Sequence, residues 1–96
     1  MIRDQNIVIT GASRGIGAAV AREAAVNGAR VGLNYFKSKK EAESLAEELE
    51  RIGGRSPLLL AFDATDPTQV ERGVQSFVDE FGSIDGWVNN AAINIS

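Results

Sequence analysis

Apolar residues in this chain fall into two kinds of run that alternate from one end to the other. Short continuous runs, such as Ile7-Val8-Ile9 and Leu58-Leu59-Leu60, are separated by longer stretches with apolar residues at helical spacing. Residues 6–10 read as a strand buried on both faces. The glycine turn Gly11-Ala12-Ser13-Arg14-Gly15-Ile16-Gly17 follows, then a helix to about Asn27 with Ile16, Val20 and Ala24 on one face. Ala19 is small enough to lie close to a sheet, and Gly28 supplies the stop. Residues 30–35 form a second strand. Ser38-Lys39-Lys40-Glu41 is a capping box that opens a second helix, with Ala42, Leu45, Ala46, Leu49 and Ile52 as its apolar stripe. Glu43, Glu47, Glu48 and Glu50 lie largely off that stripe as a solvated face, and Gly53-Gly54 ends the helix.

Residues 57–62 read as the third strand, closed by Asp63-Ala64-Thr65. Asp66 is an N-cap followed by Pro67 at the first helical position, with Gln69 completing a second capping box. Val70, Val74, Phe77, Val78 and Phe81 form the buried stripe of this third helix, and Gly82 terminates it. Residues 84–89 make a fourth strand that leaves through Asn89-Asn90-Ala91-Ala92; residues 93–96 carry no clear pattern. Regular strand–helix alternation predicts an α/β fold with parallel strands and right-handed crossovers. The expected strand order is 3-2-1-4, which places a ligand crevice between strands 1 and 4, where the order reverses.

Composition narrows the chemistry. The chain has 96 residues, 44% hydrophobic and 24% charged, with a net charge of -3, as expected for one ordinary globular domain. It contains no cysteine and no histidine, so there is neither a disulfide framework nor a thiolate or imidazole metal site. No run reaches membrane-spanning length and no signal peptide precedes the first strand, so the expectation is a cytoplasmic protein. The mild acidity, with no basic tract, argues against nucleic acid as a partner.

The glycine turn is where that chemistry concentrates. With no Cβ at Gly15 and Gly17, phosphates can approach the backbone and the helix can pack tightly on the strand. Free N–H groups around Ser13, Arg14, Gly15 and Ile16, together with the helix dipole, suit a pyrophosphate. Ser13 can equally serve as the helix N-cap. Arg14 is either solvated or paired with an adenosine 2′-phosphate or the adenine. The turn lacks the Gly-Lys-Ser/Thr ending of a P-loop.

Three segments together carry a resemblance. Thr10-Gly11-Ala12-Ser13-Arg14-Gly15-Ile16-Gly17, Asp63 after the third strand, and Asp85-Gly86-Trp87-Val88-Asn89-Asn90-Ala91-Ala92 occur in the right order on the right elements. On these the chain resembles the N-terminal half of the short-chain dehydrogenase/reductase family, most closely its 3-oxoacyl-carrier-protein reductase group. The resemblance implies a Rossmann-type sheet with helices on both faces and a dinucleotide cofactor. It also implies that Asp63 and the Ala64 backbone meet the adenine, and that Asn90, Ala91 and Ala92 line the ribose and nicotinamide side. As a plain strand-end turn residue, Asp63 needs no ligand. Asn89 is expected to tie strand 4 to strand 1 through backbone hydrogen bonds. Ala92 replaces the family's usual glycine, and Gly86-Trp87 its usual aliphatic pair, with Trp87 expected in the core or on a sheet face.

Cofactor choice turns on the end of the second strand. NAD-selective sites place an acid there, whereas this chain has Tyr35-Phe36-Lys37-Ser38 and no acid before Glu41. Lys37 and Ser38 suit a 2′-phosphate, so NADP(H) is favoured over NAD(H); otherwise Ser38 only caps the helix and Lys37 is solvated. The family's Tyr-x-x-x-Lys pair has no counterpart at its proper place, because the one tyrosine, Tyr35, is followed by Lys39 at the adenosine end. No catalytic residue is therefore assigned within these residues. The expectation is the cofactor-binding part of a longer, homo-oligomeric reductase acting on a small-molecule carbonyl or acyl-carrier substrate. A stand-alone dinucleotide-binding module is the alternative.

Overall fold

The computed structural model describes residues 2–90. Its elements are β1 (Asn6–Ile9), α1 (Gly15–Val26), β2 (Arg30–Tyr35), α2 (Lys39–Gly53), β3 (Leu58–Ala61), α3 (Pro67–Phe81) and β4 (Gly86–Val88). All pairings are parallel, in the order β3-β2-β1-β4, as the alternating pattern requires. Ile7 pairs with Val31 and Gly86, and Ile9 with Leu33 and Val88, so β1 is central. The strands β3 and β4 are shorter than their apolar runs. Among the described residues, no helix is long and apolar enough to cross a membrane.

Helices α1 and α2 cover one face of the sheet, and α3 covers the other. The first face holds Ile7, Ile9, Val31 and Leu33 against the alanines of α1 and Leu45 and Leu49 of α2. The second is a smaller cluster of Val8, Leu60, Phe62 and Phe77. Phe77 fits because β2 carries Gly32 beneath it, where a Cβ would stand 2.7 Å from the ring. Trp87 pairs with Val8 in register, which places it on the α3 face, where it remains partly exposed beside the β4 edge.

Two helical stripes differ from expectation. In α1 the buried residues are Gly17, Ala18, Ala21, Ala24 and Ala25, while Ile16 and Ala19 are exposed. The helix begins at Gly15 and lies so close to the sheet that only small side chains fit beneath it. Ile16 is turned away, toward the site described below. In α2 the stripe ends at Leu49, and Ile52 is exposed in the last turn. The glycine stops behave as read, with Gly28, Gly54 and Gly82 all at positive φ.

The N-terminal ends of the strands are tied by polar groups. The Asn6 N–H donates to Asp85 Oδ2 at 2.8 Å, and its side-chain amide donates to Phe81 O and Ser83 Oγ. Asp4 forms an ion pair with Arg55, whose guanidinium holds the Asp4 carboxyl below its ordinary value.

Candidate dinucleotide site

The opposite ends of β1, β2 and β4 hold the glycine turn in place from both sides. From β4, the Thr10 N–H donates to Val88 O at 2.9 Å, and the Thr10 hydroxyl donates to Asn89 Oδ1 at 3.2 Å. Asn89 ties β4 to β1 through its side chain. Asn90 Nδ2 donates to Gly11 O at 2.9 Å. From β2, Asn34 Oδ1 accepts the Gly11 N–H at 3.0 Å, and Asn34 O accepts the Ala12 N–H at 3.0 Å. Between these anchors Gly11 takes φ 59 and Gly15 φ 65, left-handed conformations that favour glycine.

Beyond the anchors, the backbone donors are unused. Among the described residues, no hydrogen bond engages the N–H of Ser13, Arg14, Gly15, Ile16 or Gly17, and the first such bond of α1 runs from Ala18 to Arg14 O. The N-cap is Arg14 rather than Ser13, in extended conformation and with no side-chain cap. A serine cap would have consumed one of these donors. Gly17 lets the helix seat against the turn, since a Cβ there would lie 2.5 Å from Gly11 O. A row of N–H groups at a helix start, backed by the helix dipole, is a ready anion site.

Four of these five residues, Ser13, Arg14, Gly15 and Ile16, line a cleft of about 830 Å³. The turn contributes Gly11, Ser13, Arg14, Gly15 and Ile16, β2 and its exit contribute Tyr35, Phe36, Lys37 and Ser38, and the β4 side contributes Asn90. Among the described residues, two cations, Arg14 and Lys37, line it, and no acid does. Ile16 is 67% and Phe36 55% exposed, so the cleft also presents apolar surface suited to a flat ring. Lys37 Nζ lies 5.6 Å from the centroid of the Phe36 ring. Ser38 stands at the N-cap of α2 but makes no side-chain cap bond, which corrects the expected capping box.

Asp63 and Ala64 follow β3 and are not among the lining residues. Asp63 Oδ1 accepts from the Thr65 hydroxyl at 2.7 Å and the Thr65 N–H at 2.9 Å. These bonds, with a smaller contribution from the charge of Lys37, hold its carboxyl below the ordinary 3.8. Ala91 and Ala92 lie outside the described residues. Tyr35, at the end of β2, lines the cleft, whereas Lys39, at the start of α2, does not. Asn34 was missed as a site residue. Its signal was a polar residue inside the apolar run of β2, level with the turn. Among the described residues no cluster of acids could hold a metal ion.

Comparison with known proteins agrees with this geometry. The chain matches the short chain dehydrogenase family over residues 5–96. It is 44% identical over 96 residues to L-rhamnose 1-dehydrogenase (NAD(P)(+)) of Azotobacter vinelandii, covering 97% of this chain and 37% of that protein. It is 39% identical over 89 residues to a 3-oxoacyl-(acyl-carrier-protein) reductase of Staphylococcus aureus, covering 93% of this chain and 36% of the relative. Among solved structures, a short chain dehydrogenase from Burkholderia cenocepacia in complex with NADP superposes with a TM-score of 0.86 at 35% identity, over 92% of this chain and 36% of that one. The chain thus spans little more than a third of the length of the relatives it matches. With the turn, the parallel sheet order and this match over nearly its whole length, the chain belongs to the short-chain dehydrogenase family.

Proposed function

We propose that the cleft binds NADP(H) in preference to NAD(H), and that these residues are the cofactor-binding part of an oxidoreductase that interconverts ketones and secondary alcohols. One observation carries the reading: the unpartnered N–H groups of Ser13, Arg14, Gly15 and Ile16 belong to a cleft that, among the described residues, is lined by the cations Arg14 and Lys37 and by no acid. The N–H groups of residues 13–17 hold the pyrophosphate. Lys37 and Ser38 receive the 2′-phosphate, Arg14 pairs with it or stacks on the adenine, and Tyr35 and Phe36 form the wall beside it. Asp63 and the Ala64 backbone take the adenine edge, and Asn90, Ala91 and Ala92 the ribose and nicotinamide side. Bound there, the nicotinamide supplies or accepts the hydride of the carbonyl–alcohol interconversion.

Catalytic serine, tyrosine and lysine fall to residues outside these 96, so this chain alone is expected to be inactive. The substrate is a small carbonyl compound, with 3-oxoacyl groups on a carrier as one candidate class; the relatives include a sugar dehydrogenase and a 3-oxoacyl reductase. On the family resemblance, the complete enzyme is read as a cytoplasmic homo-oligomer.

Calorimetric titration tests the cofactor assignment. NADPH is expected to bind about tenfold or more tightly than NADH, the scale of one charge-assisted contact. Lys37→Glu is expected to shrink or reverse that difference, because a carboxylate repels the 2′-phosphate. Equal affinities in the unmutated protein would sink the assignment.

A further inference from the structure

Asn34 is 2% exposed and does not line the cleft, yet it joins three of the segments that do or that flank it. Its Nδ2 donates to Phe62 O at 2.9 Å, Leu60 O at 3.1 Å and Tyr35 O at 3.3 Å. With carbonyls around the nitrogen, the amide has one workable orientation, and Oδ1 is left facing the Gly11 N–H at 3.0 Å. A strand position this deep ordinarily takes Val or Ile, since a buried amide is costly unless all of it is paired. Here it is paired, and the Gly11 N–H is the one partner outside the β2 and β3 segments.

Gly11 is also held on its carbonyl by Asn90 Nδ2 at 2.9 Å. Its peptide groups are therefore fixed from β2 and from β4 together. Ala12 is held in turn by the main-chain oxygen of Asn34. The unpartnered N–H groups of residues 13–17 begin immediately after this clamp.

We propose that Asn34 is a positioning residue for the phosphate turn: its amide fixes the Gly11 peptide, and through it the row of free N–H groups, without touching the ligand. The inference rests on the dinucleotide reading above. It adds that the turn is aligned from the ends of β2 and β3, the same segments that lead into Lys37, Ser38 and Asp63.

The test compares two ligands in the purified protein by calorimetry. NADPH carries a pyrophosphate; adenosine 2′-monophosphate carries the adenosine and 2′-phosphate but no pyrophosphate. Asn34→Leu keeps the branched shape and heavy-atom count, though it is bulkier, and removes the amide; Leu49→Ala is a control that disturbs the core in α2, away from the turn. Asn34→Leu is expected to weaken NADPH about tenfold and adenosine 2′-monophosphate by less than about threefold, while Leu49→Ala leaves the ratio of the two unchanged. The milder Asn34→Ser shifts the ratio in the same direction.

Equal losses for both ligands, or an unchanged ratio, would overturn the positioning role while leaving the dinucleotide reading intact. An unmutated protein that binds neither ligand would overturn that reading itself. Amide hydrogen exchange gives an answer without any variant: slow exchange at Gly11 and Ala12 before ligand is added supports a pre-set turn, and fast exchange at both refutes it.

Discussion

Gly15 and Gly17 stand two residues apart in one turn and exclude a side chain for different reasons. Gly15 has φ 65 and open space around it, so the obstacle is conformational. Gly15→Ala is expected to cost about 1–2 kcal/mol, the strain of a left-handed residue with a Cβ. Gly17 is helical, but its missing Cβ would meet Gly11 O at 2.5 Å, Asn90 Nδ2 at 2.8 Å and Ala12 Cα at 2.9 Å. Two of those three atoms are backbone and cannot swing aside. Gly17→Ala therefore has to lift α1 from the turn, at about 1–3 kcal/mol or more, and to break the Asn90 contact. Urea denaturation of the two variants checks both figures; a neutral Gly17→Ala would mean that the helix is not seated as described. The glycine string was legible in the sequence as a turn. Which glycine answers to φ and which to contact was not, because the contact exists only once the turn folds back to set Gly11 O and Ala12 Cα, with Asn90 from the far end of the chain, against the helix start.

Helix starts show the same division at the level of the element. Asp66 has extended backbone angles, and its carboxylate accepts from the Thr68 N–H at 3.0 Å and the Gln69 N–H at 3.4 Å. Gln69 closes the box from the other side, donating to Asp66 Oδ2 at 3.1 Å and accepting the Asp63 N–H at 2.8 Å. Ser38 opens a similar string, but its φ of -89 and ψ of 59 lie outside the extended region that aims an N-cap side chain at the first turn. Asp66→Ala is expected to cost about 1 kcal/mol, whereas Ser38→Ala stays within about 0.5 kcal/mol of the unmutated protein. Denaturant midpoints measured side by side decide this, and an equal loss at both positions would show that Ser38 caps after all. The uncapped starts are those of α1 and α2, the two helices that open onto the cleft. The donors that local capping leaves unused are those a bound anion can take.

In the molecule as a whole, the two faces of the sheet are unequally covered. Two helices bury one face, and on the other a single helix relies on Phe77, fully buried over Gly32 and in edge contact with Phe81 at 4.9 Å. Phe77→Ala is expected to cost about 3–5 kcal/mol. That is a large share of the roughly 5–15 kcal/mol that holds a domain folded. A loss under about 1 kcal/mol, read by urea titration, would mean that α3 is not anchored there. Trp87, partly exposed beside the same face, marks where that cover thins.

Local pattern by itself determined the element order, the parallel sheet and the place of the turn. Runs of apolar residues, glycine stops and helical spacing act through neighbours close in sequence, and here they all agree. The strand order followed from alternation and crossover handedness, and the sheet has it. Tertiary structure decided what depends on residues far apart in the chain. It turned Ile16 outward, because α1 sits too close to the sheet for a large side chain, and it left Ser38 uncapped beside the cleft. It also made Asn34 the hinge pin of the turn, since only the folded sheet brings Gly11, Leu60 and Phe62 around one amide. A buried polar side chain declares its purpose only when its partners are in place.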